Sequence, residues 1–302
     1  MASVNPSLER PALLLGGRRR NATDNRGLRL ARRVLPGLPL ALGFTLLYLA
    51  LIVLLPLGAL VFKAASLGPE DYWRIVSSPR AVASYRVTVF CAAVATAFNL
   101  VFGLALAWVL TRYRFPGRRL LDALVDLPFA LPTAVAGISL TALFSQNGWF
   151  GAALAPLGIK VAYTQLGIMI AMAFTSLPFI VRTVQPVLED LDPSIEEAAQ
   201  SLGGSDWTIM RKVILPLLTP ALLAGVSLSF ARSLGEFGAI IFIAGNQPMR
   251  TEITALLTFI RLEEYDYPAA AAIASVMLIA AFLMLAVTNA MQARALRYTR
   301  RD

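Results

Sequence analysis

Histidine is absent from this 302-residue chain. That removes histidine general bases, Ser-His-Asp triads and His-ligated metal centres. Cysteine occurs once, as Cys91 in the apolar run VTVFCAAVATAF. No disulfide can form within the chain, and a packing thiol is the expected role. No G-x-x-x-x-G-K-[ST] string is present, so the chain carries no P-loop. Charge is scarce too: Asp, Glu, Lys and Arg make up 15% of residues, against about 25% in ordinary soluble domains. These absences leave an enzyme little to work with.

Hydrophobic residues are abundant, at 57%, and the mean hydropathy is +0.67. They fall in long runs. Residues 38–62, LPLALGFTLLYLALIVLLPLGALVF, hold no charge. The run is too long for a signal-peptide core and has no small-residue cleavage site, so it reads as an uncleaved first span. Further candidate spans lie at about 87–110, 124–145, 164–185, 217–244 and 268–290. Each can cross a hydrocarbon core of about 30 Å as a helix. Helices are the default in lipid because each segment must satisfy its own backbone. The expected fold is therefore all-α and polytopic, with six transmembrane helices.

The 27 basic residues set the orientation. If both termini share one side, that side holds nineteen of them and the other side seven, with Arg232 inside span five. Basic residues concentrate on the cytoplasmic side, so both termini and the 186–216 loop are expected there. The same placement explains the net charge of +9 without nucleic acid. The organisation predicted is a basic disordered tail at 1–36, a first span with its outer loop at 37–80, a transmembrane core at 81–290 and a basic tail at 291–302. Pro128, Pro132 and Pro178 are expected to interrupt helices. Gly103, Gly137, Gly225, Gly235 and Gly238 thin the helices for close packing.

One polar passage stands between apolar runs: LDPSIEEAAQSLGGSDW, 191–207. Asp192 can cap a helix with Pro193 at its first position, and Ser194 with Glu197 offers an overlapping capping box. Gly203 and Gly204 supply the stop. Ile195, Ala198, Ala199 and Leu202 share one face, flattened by its two alanines. A second helix is expected from about Ser205. Amphipathicity alone leaves two readings, a helix lying back on its own domain or a docking surface.

The spacing adds a resemblance. Glu197-Ala198-Ala199, Gly203, Val213 and Leu215-Pro216 match E-A-A-x3-G-x9-[IV]-x-L-P. This resembles the signature loop of the permease subunits of ABC importers. TRYRFPGRRLLDALVDLPFALPTAVAGISL, FTSLPFIVRTVQPVLE, SFARSLGEFGAIIFIAGN and EEYDYPAAAAIASV are similar to sulfate/thiosulfate permeases of the CysT (CysU) type. The likeness covers residues 34–290. RSLGEFGA and LPFALPP-like strings also occur in molybdate and tungstate permeases, which remain the alternative. A stand-alone secondary anion transporter is the alternative of another class, but no repeat is seen.

The resemblance implies a type I ABC permease fold in a bacterial plasma (inner) membrane. It implies a coupling helix at 194–202 that docks on a separate ATPase. Ala198 and Ala199 would allow close contact, Glu197 would cap or pair with the ATPase, and Gly203 would make the turn. Leu215 and Pro216 close the pattern. The implied partners are two ATPase copies, a second homologous permease and a periplasmic or extracellular sulfate-binding protein. The chain would bind no cofactor, ATP and Mg being used by the ATPase.

Three further features are open. Arg232 and Glu236, four apart in a span, read as a structural salt bridge or as a gate or interface network. Backbone N–H groups after Pro132, with Thr133 and Ser139 nearby, are candidates for the anion path. Ile253, Leu256, Leu257 and Ile260 form an apolar face in the outer loop, either packed on the bundle or meeting the binding protein. Arg182 reads as a topology charge rather than a substrate contact.

Overall fold

The structure is a computed structural model and describes residues 38–299. The expected basic tail at 1–36 lies outside the described residues. The chain divides into two compact units, 1–57 and 58–302. The described part of the first holds helix α1, Leu38–Leu49, and a π-helical turn at Ala50–Leu54. It is apolar on every side and almost wholly exposed, which suits lipid and not water. Helix α2, Leu55–Ala65, continues the run.

In the second unit, α3 (Pro69–Val76) precedes α4 (Pro79–Arg112). Helix α4 starts from Ser78, whose hydroxyl accepts from the Ala81 N–H at 3.4 Å, with Pro79 at its first turn. Its 34 residues span about 51 Å at 1.5 Å per residue, more than the hydrocarbon core requires.

The third candidate span is not one helix. It is α5 (Arg118–Val125), α6 (Leu127–Ala130) and α7 (Thr133–Phe144), followed by the short α8 (Trp149–Leu154). The break at Leu131 has a local cause. Pro132 pushes the residue before it into extended backbone, and Leu131 sits at φ −84°, ψ 133°. Pro178 behaves otherwise and corrects the expectation. Helix α9, Gln165–Glu189, runs unbroken through Pro178 and Pro186. Pro178 is buried among neighbouring helices, where an interior proline is tolerated in a membrane bundle.

Helix α10 (Pro193–Ser201) and the short α11 (Asp206–Ile209) form the loop between α9 and α12. A π-helical turn at Met210–Ile214 leads into α12, Leu215–Leu234. Pro216 lacks an N–H, and the Leu215 N–H reaches back to Met210 O, five residues away. Span five ends at Leu234 instead of running on to 244; a turn precedes α13 (Ile240–Ile243). Helices α14 (Thr254–Glu263) and α15 (Tyr267–Thr299) complete the chain. Residues 291–299, expected as tail, extend α15. No strand occurs among the described residues. Among the described residues, five helices are long and apolar enough to cross a membrane.

Helices α4, α9 and α12 form the core. A methyl placed on Gly103 would meet Ile180 Cγ2 at 3.0 Å, and one on Gly225 would collide with Thr183 Oγ1. Both glycines therefore set how closely the helices approach. Three apolar clusters fill the bundle, two of them large. One holds Cys91, Ala95, Met172 and Ile243, and the other Leu110, Ile180, Leu188 and Leu218. The buried Asn99 amide donates to Ala173 O at 3.0 Å and to Ser176 Oγ at 2.9 Å, and Ser233 Oγ reaches Ser176 Oγ at 3.1 Å. This polar chain ties α4, α9 and α12 together where water is absent.

Candidate functional site

The loop of α10 and α11 is built from its caps inward. The Asp192 carboxylate accepts from the Ser194 N–H at 2.9 Å, which closes the N-terminus of α10. That bond holds the Asp192 carboxyl below its ordinary range, because a hydrogen-bonded carboxylate resists protonation. The capping box expected at Ser194 and Glu197 is not formed: Ser194 is already inside the helix, with its N–H given to Asp192. At the other end Gly203 takes φ +81°, a left-handed turn. The Gly203 N–H reaches Gln200 O at 2.8 Å and the Gly204 N–H reaches Ala199 O at 3.0 Å, so orphan carbonyls are satisfied.

Between the caps, the face of Ile195, Ala198, Ala199 and Leu202 is not folded back on the protein. Only Ala199 packs on the core. Ile195 is 40% exposed, Leu202 90% and the following Trp207 71%. Ala198 and Glu197 are exposed as well, and Glu197 forms no ion pair among the described residues. Leu215 is half-buried and Pro216 exposed at the start of α12.

A second acid, Glu196, does the anchoring. Arg112, at the C-terminal end of α4, pairs with Glu196 and stacks over the Trp108 ring at 5.3 Å. This clamp was missed in the sequence. Its signal was weak, an acid adjacent to the signature Glu197 and an arginine 84 positions away. Arg182 forms another hub. Its guanidinium takes Asp126 with two bonds, at 2.8 and 2.7 Å, and Asp122 Oδ1 at 2.7 Å. It also donates to Asp122 O at 2.9 Å and Gln185 Oε1 at 2.7 Å. Arg182 thus joins α9 to α5 and the α5–α6 junction. Asp122 and Asp126 were not singled out in the sequence; their spacing, four apart beside an apolar run, was the only signal on offer.

The candidates away from this loop converge in part. Arg232 Nη1 lies 2.6 Å from Glu236 Oε2, and Glu236 is 1% exposed. Glu236 Oε1 accepts from the Ala239 N–H at 2.9 Å. The turn holding Glu236 presses on the start of α7: a methyl on Gly137 would lie 2.7 Å from Ala239 Cα, and one on Gly238 would strike Thr133 Oγ1. Thr133 is therefore brought to the Arg232–Glu236 turn. Ser139 is exposed on α7, about 9 Å further along by helical rise, and donates no side-chain bond among the described residues.

The outer face of α14 is decided. Ile253, Leu256 and Leu257 are buried in the bundle, so the packed reading holds. Arg80 fixes the preceding loop through two bonds to the buried Glu252, at 2.8 and 2.6 Å.

Residues 99–300 match the family of binding-protein-dependent transport system inner membrane components. The sulfate transport system permease protein CysT of Escherichia coli (strain K12) is 61% identical over 264 residues, 87% of this chain and 95% of that one. CysT of Salmonella typhimurium is 62% identical over the same length and shares of the two chains. Among solved structures, a bacterial alginate ABC transporter in complex with its pentasaccharide-bound periplasmic protein aligns at a TM-score of 0.70. That match covers 89% of this chain and 96% of that chain at 16% identity, a likeness of fold alone. The chain belongs to the family of binding-protein-dependent transport system inner membrane components, as a CysT-type permease of an ABC importer.

Proposed function

We propose that the chain is the membrane-spanning subunit that passes sulfate or thiosulfate through the bacterial inner membrane, driven by a separate ATPase that docks on α10. The uncovered apolar face of α10 carries this reading. A short helix capped at both ends, with Leu202 left uncovered, has its favourable contact still to make. The 61% identity to a sulfate permease supports the substrate.

The working complex has two ATPase copies, a second homologous permease and an external sulfate-binding protein. ATP and Mg are handled by the ATPase, and this chain holds no cofactor. Closure of the ATPase moves α10. The motion passes through the Arg112–Glu196 clamp to α4 and through α11 and the π turn to α12. Arg182 carries it from α9 to the segment leading into the broken helix α7. The result is alternating access biased by nucleotide. The Arg232–Glu236 pair is neutral overall, so it acts as a gate or interface strut against Thr133 and not as the anion site. The anion passes the backbone N–H groups after Pro132, with Thr133 and Ser139 nearby.

The test is reconstitution of the complete complex, with binding-protein-dependent ATPase stimulation measured for sulfate, thiosulfate and molybdate. Stimulation by sulfate or thiosulfate is expected. A response confined to molybdate would overturn the substrate. Gly203→Asp should abolish stimulation, and unaltered coupling in that variant would remove α10 from the mechanism.

A further inference from the structure

Beside the coupling loop lies a groove that the transport reading leaves unused. It has a volume of about 900 Å³ and runs between the cytoplasmic half of α4 and the start of α12. Its walls are apolar, with Leu104 on one side and Leu222 on the other. Trp108, Tyr113 and Trp207 are part of its lining. Aromatic rings of this kind settle at the boundary between hydrocarbon and headgroups.

Arg114 is also part of the groove's lining. It belongs to the loop RYRFPGRR, which adds Arg118 and Arg119 within five residues. None of the three forms an ion pair among the described residues, whereas Arg112 is held by Glu196 and Arg182 by Asp122 and Asp126. The apolar groove therefore carries one unneutralised guanidinium, that of Arg114, in its own lining, with Arg118 and Arg119 close by in sequence. Water would solvate the arginines and not the groove, while a protein surface would need apolar and acidic parts in one place. An anionic lipid offers both at the required depth.

We propose that this groove is a binding site for an anionic phospholipid, with an acyl chain against Leu104 and Leu222 and the phosphate on Arg114, supported by Arg118 and Arg119. The site bears on coupling through shared residues: Trp108 and Trp207 line both this groove and the cleft that holds Glu196 beside α10. A lipid there stiffens the strut between α4 and the docking helix.

The experiment uses the assembled transporter in nanodiscs of phosphatidylcholine with or without phosphatidylglycerol. Native mass spectrometry then counts lipid retained after transfer to detergent. The wild type should retain phosphatidylglycerol in preference to phosphatidylcholine. Arg114→Gln with Arg118→Gln and Arg119→Gln should weaken that retention by about fivefold per arginine removed. Ala105→Trp, which narrows the groove and leaves every charge in place, should lower retention of both lipids. These arginines also mark topology, so the wild type supplies an independent readout. A diazirine-bearing phosphatidylglycerol should label the segments around Leu104 and Leu222. Equal retention of the two lipids by the wild type would overturn the proposal. So would labelling that avoids both segments, or a cysteine at position 105 that crosslinks efficiently to another subunit across the groove. All of these readouts are independent of the transported anion, so they stand or fall apart from the sulfate reading.

Discussion

Helices α10 and α14 carry apolar residues at identical spacing: Ile195, Ala198, Ala199 and Leu202 in one, Ile253, Leu256, Leu257 and Ile260 in the other. Their fates are opposite. Leu202 is 90% exposed, while Ile253, Leu256 and Leu257 are at 2% or less. Periodicity says where a face lies and is silent on whether it is covered. Residue size and end chemistry are more informative. The α14 face is all large, so its burial contributes about 1.5–3 kcal/mol per side chain and holds the helix by itself. The α10 face has two alanines at its centre, and the helix is held by Asp192, Gly203 and the Arg112–Glu196 clamp instead. A helix secured at its ends keeps its face free for a partner.

The largest effect should come from testing that contrast directly. Leu257→Ala opens a cavity in the bundle and should cost about 2–5 kcal/mol of stability. Leu202→Ala should shift stability by less than about 0.5 kcal/mol, as at an exposed site. It should nevertheless weaken ATPase retention by roughly tenfold, as loss of an interface anchor does. Thermal unfolding in detergent and co-purification of the ATPase read the two quantities. A Leu202→Ala variant that unfolded as early as Leu257→Ala would erase the distinction. Gly203→Ala sits between them. Forcing a Cβ into a left-handed turn costs about 1–2 kcal/mol, with loss expected in coupled ATPase activity before any loss of assembly.

The clamp sharpens the same comparison at a smaller scale. Arg112 and Glu196 are each about a quarter exposed, so their coupling should be about 1 kcal/mol. A double-mutant cycle with Arg112→Gln and Glu196→Gln, read in substrate-stimulated ATPase activity, measures it. Additive effects would mean that Glu196 does not transmit force to α4.

Much of this was legible in the residues. The runs of uncharged apolar residues placed four of the spans to within a turn or two, because lipid enforces length and composition. The caps of α10 were legible since Asp-Pro and Gly-Gly act locally. Pro132 stopped a helix as expected, yet Pro178 did not, because only the surroundings of Pro178 make up for the missing N–H. The end of α12 at Leu234 was hidden: Glu236 satisfies the Ala239 N–H from within an apolar run that otherwise reads as continuous helix. The clamp and the Arg182 hub were hidden for a different reason. Both join residues more than fifty positions apart, and a pairing at that distance leaves no periodic trace. Of the candidate site, the ends and the outward face could be read from the sequence, but not the strut beneath them.

The smallest effect concerns the first cap and its dependence on pH. Asp192 is fully exposed, and its carboxyl is held below the ordinary range by the Ser194 N–H. A carboxyl whose folded pKa is lowered contributes stability above its unfolded pKa of about 3.9 and loses it as pH falls through the folded value. Amide-exchange protection in α10, corrected for intrinsic rates, should therefore stay level from pH 7 down to about pH 4 and decline only below that. Asp192→Asn keeps a neutral cap of similar strength, so its protection should be level across the whole range. Asp192→Ala should be less protected at every pH where the native carboxylate is ionised. If Asp192→Asn kept the acid-induced decline, the titrating group would lie elsewhere, and α10 would be fastened by something other than its N-cap carboxylate.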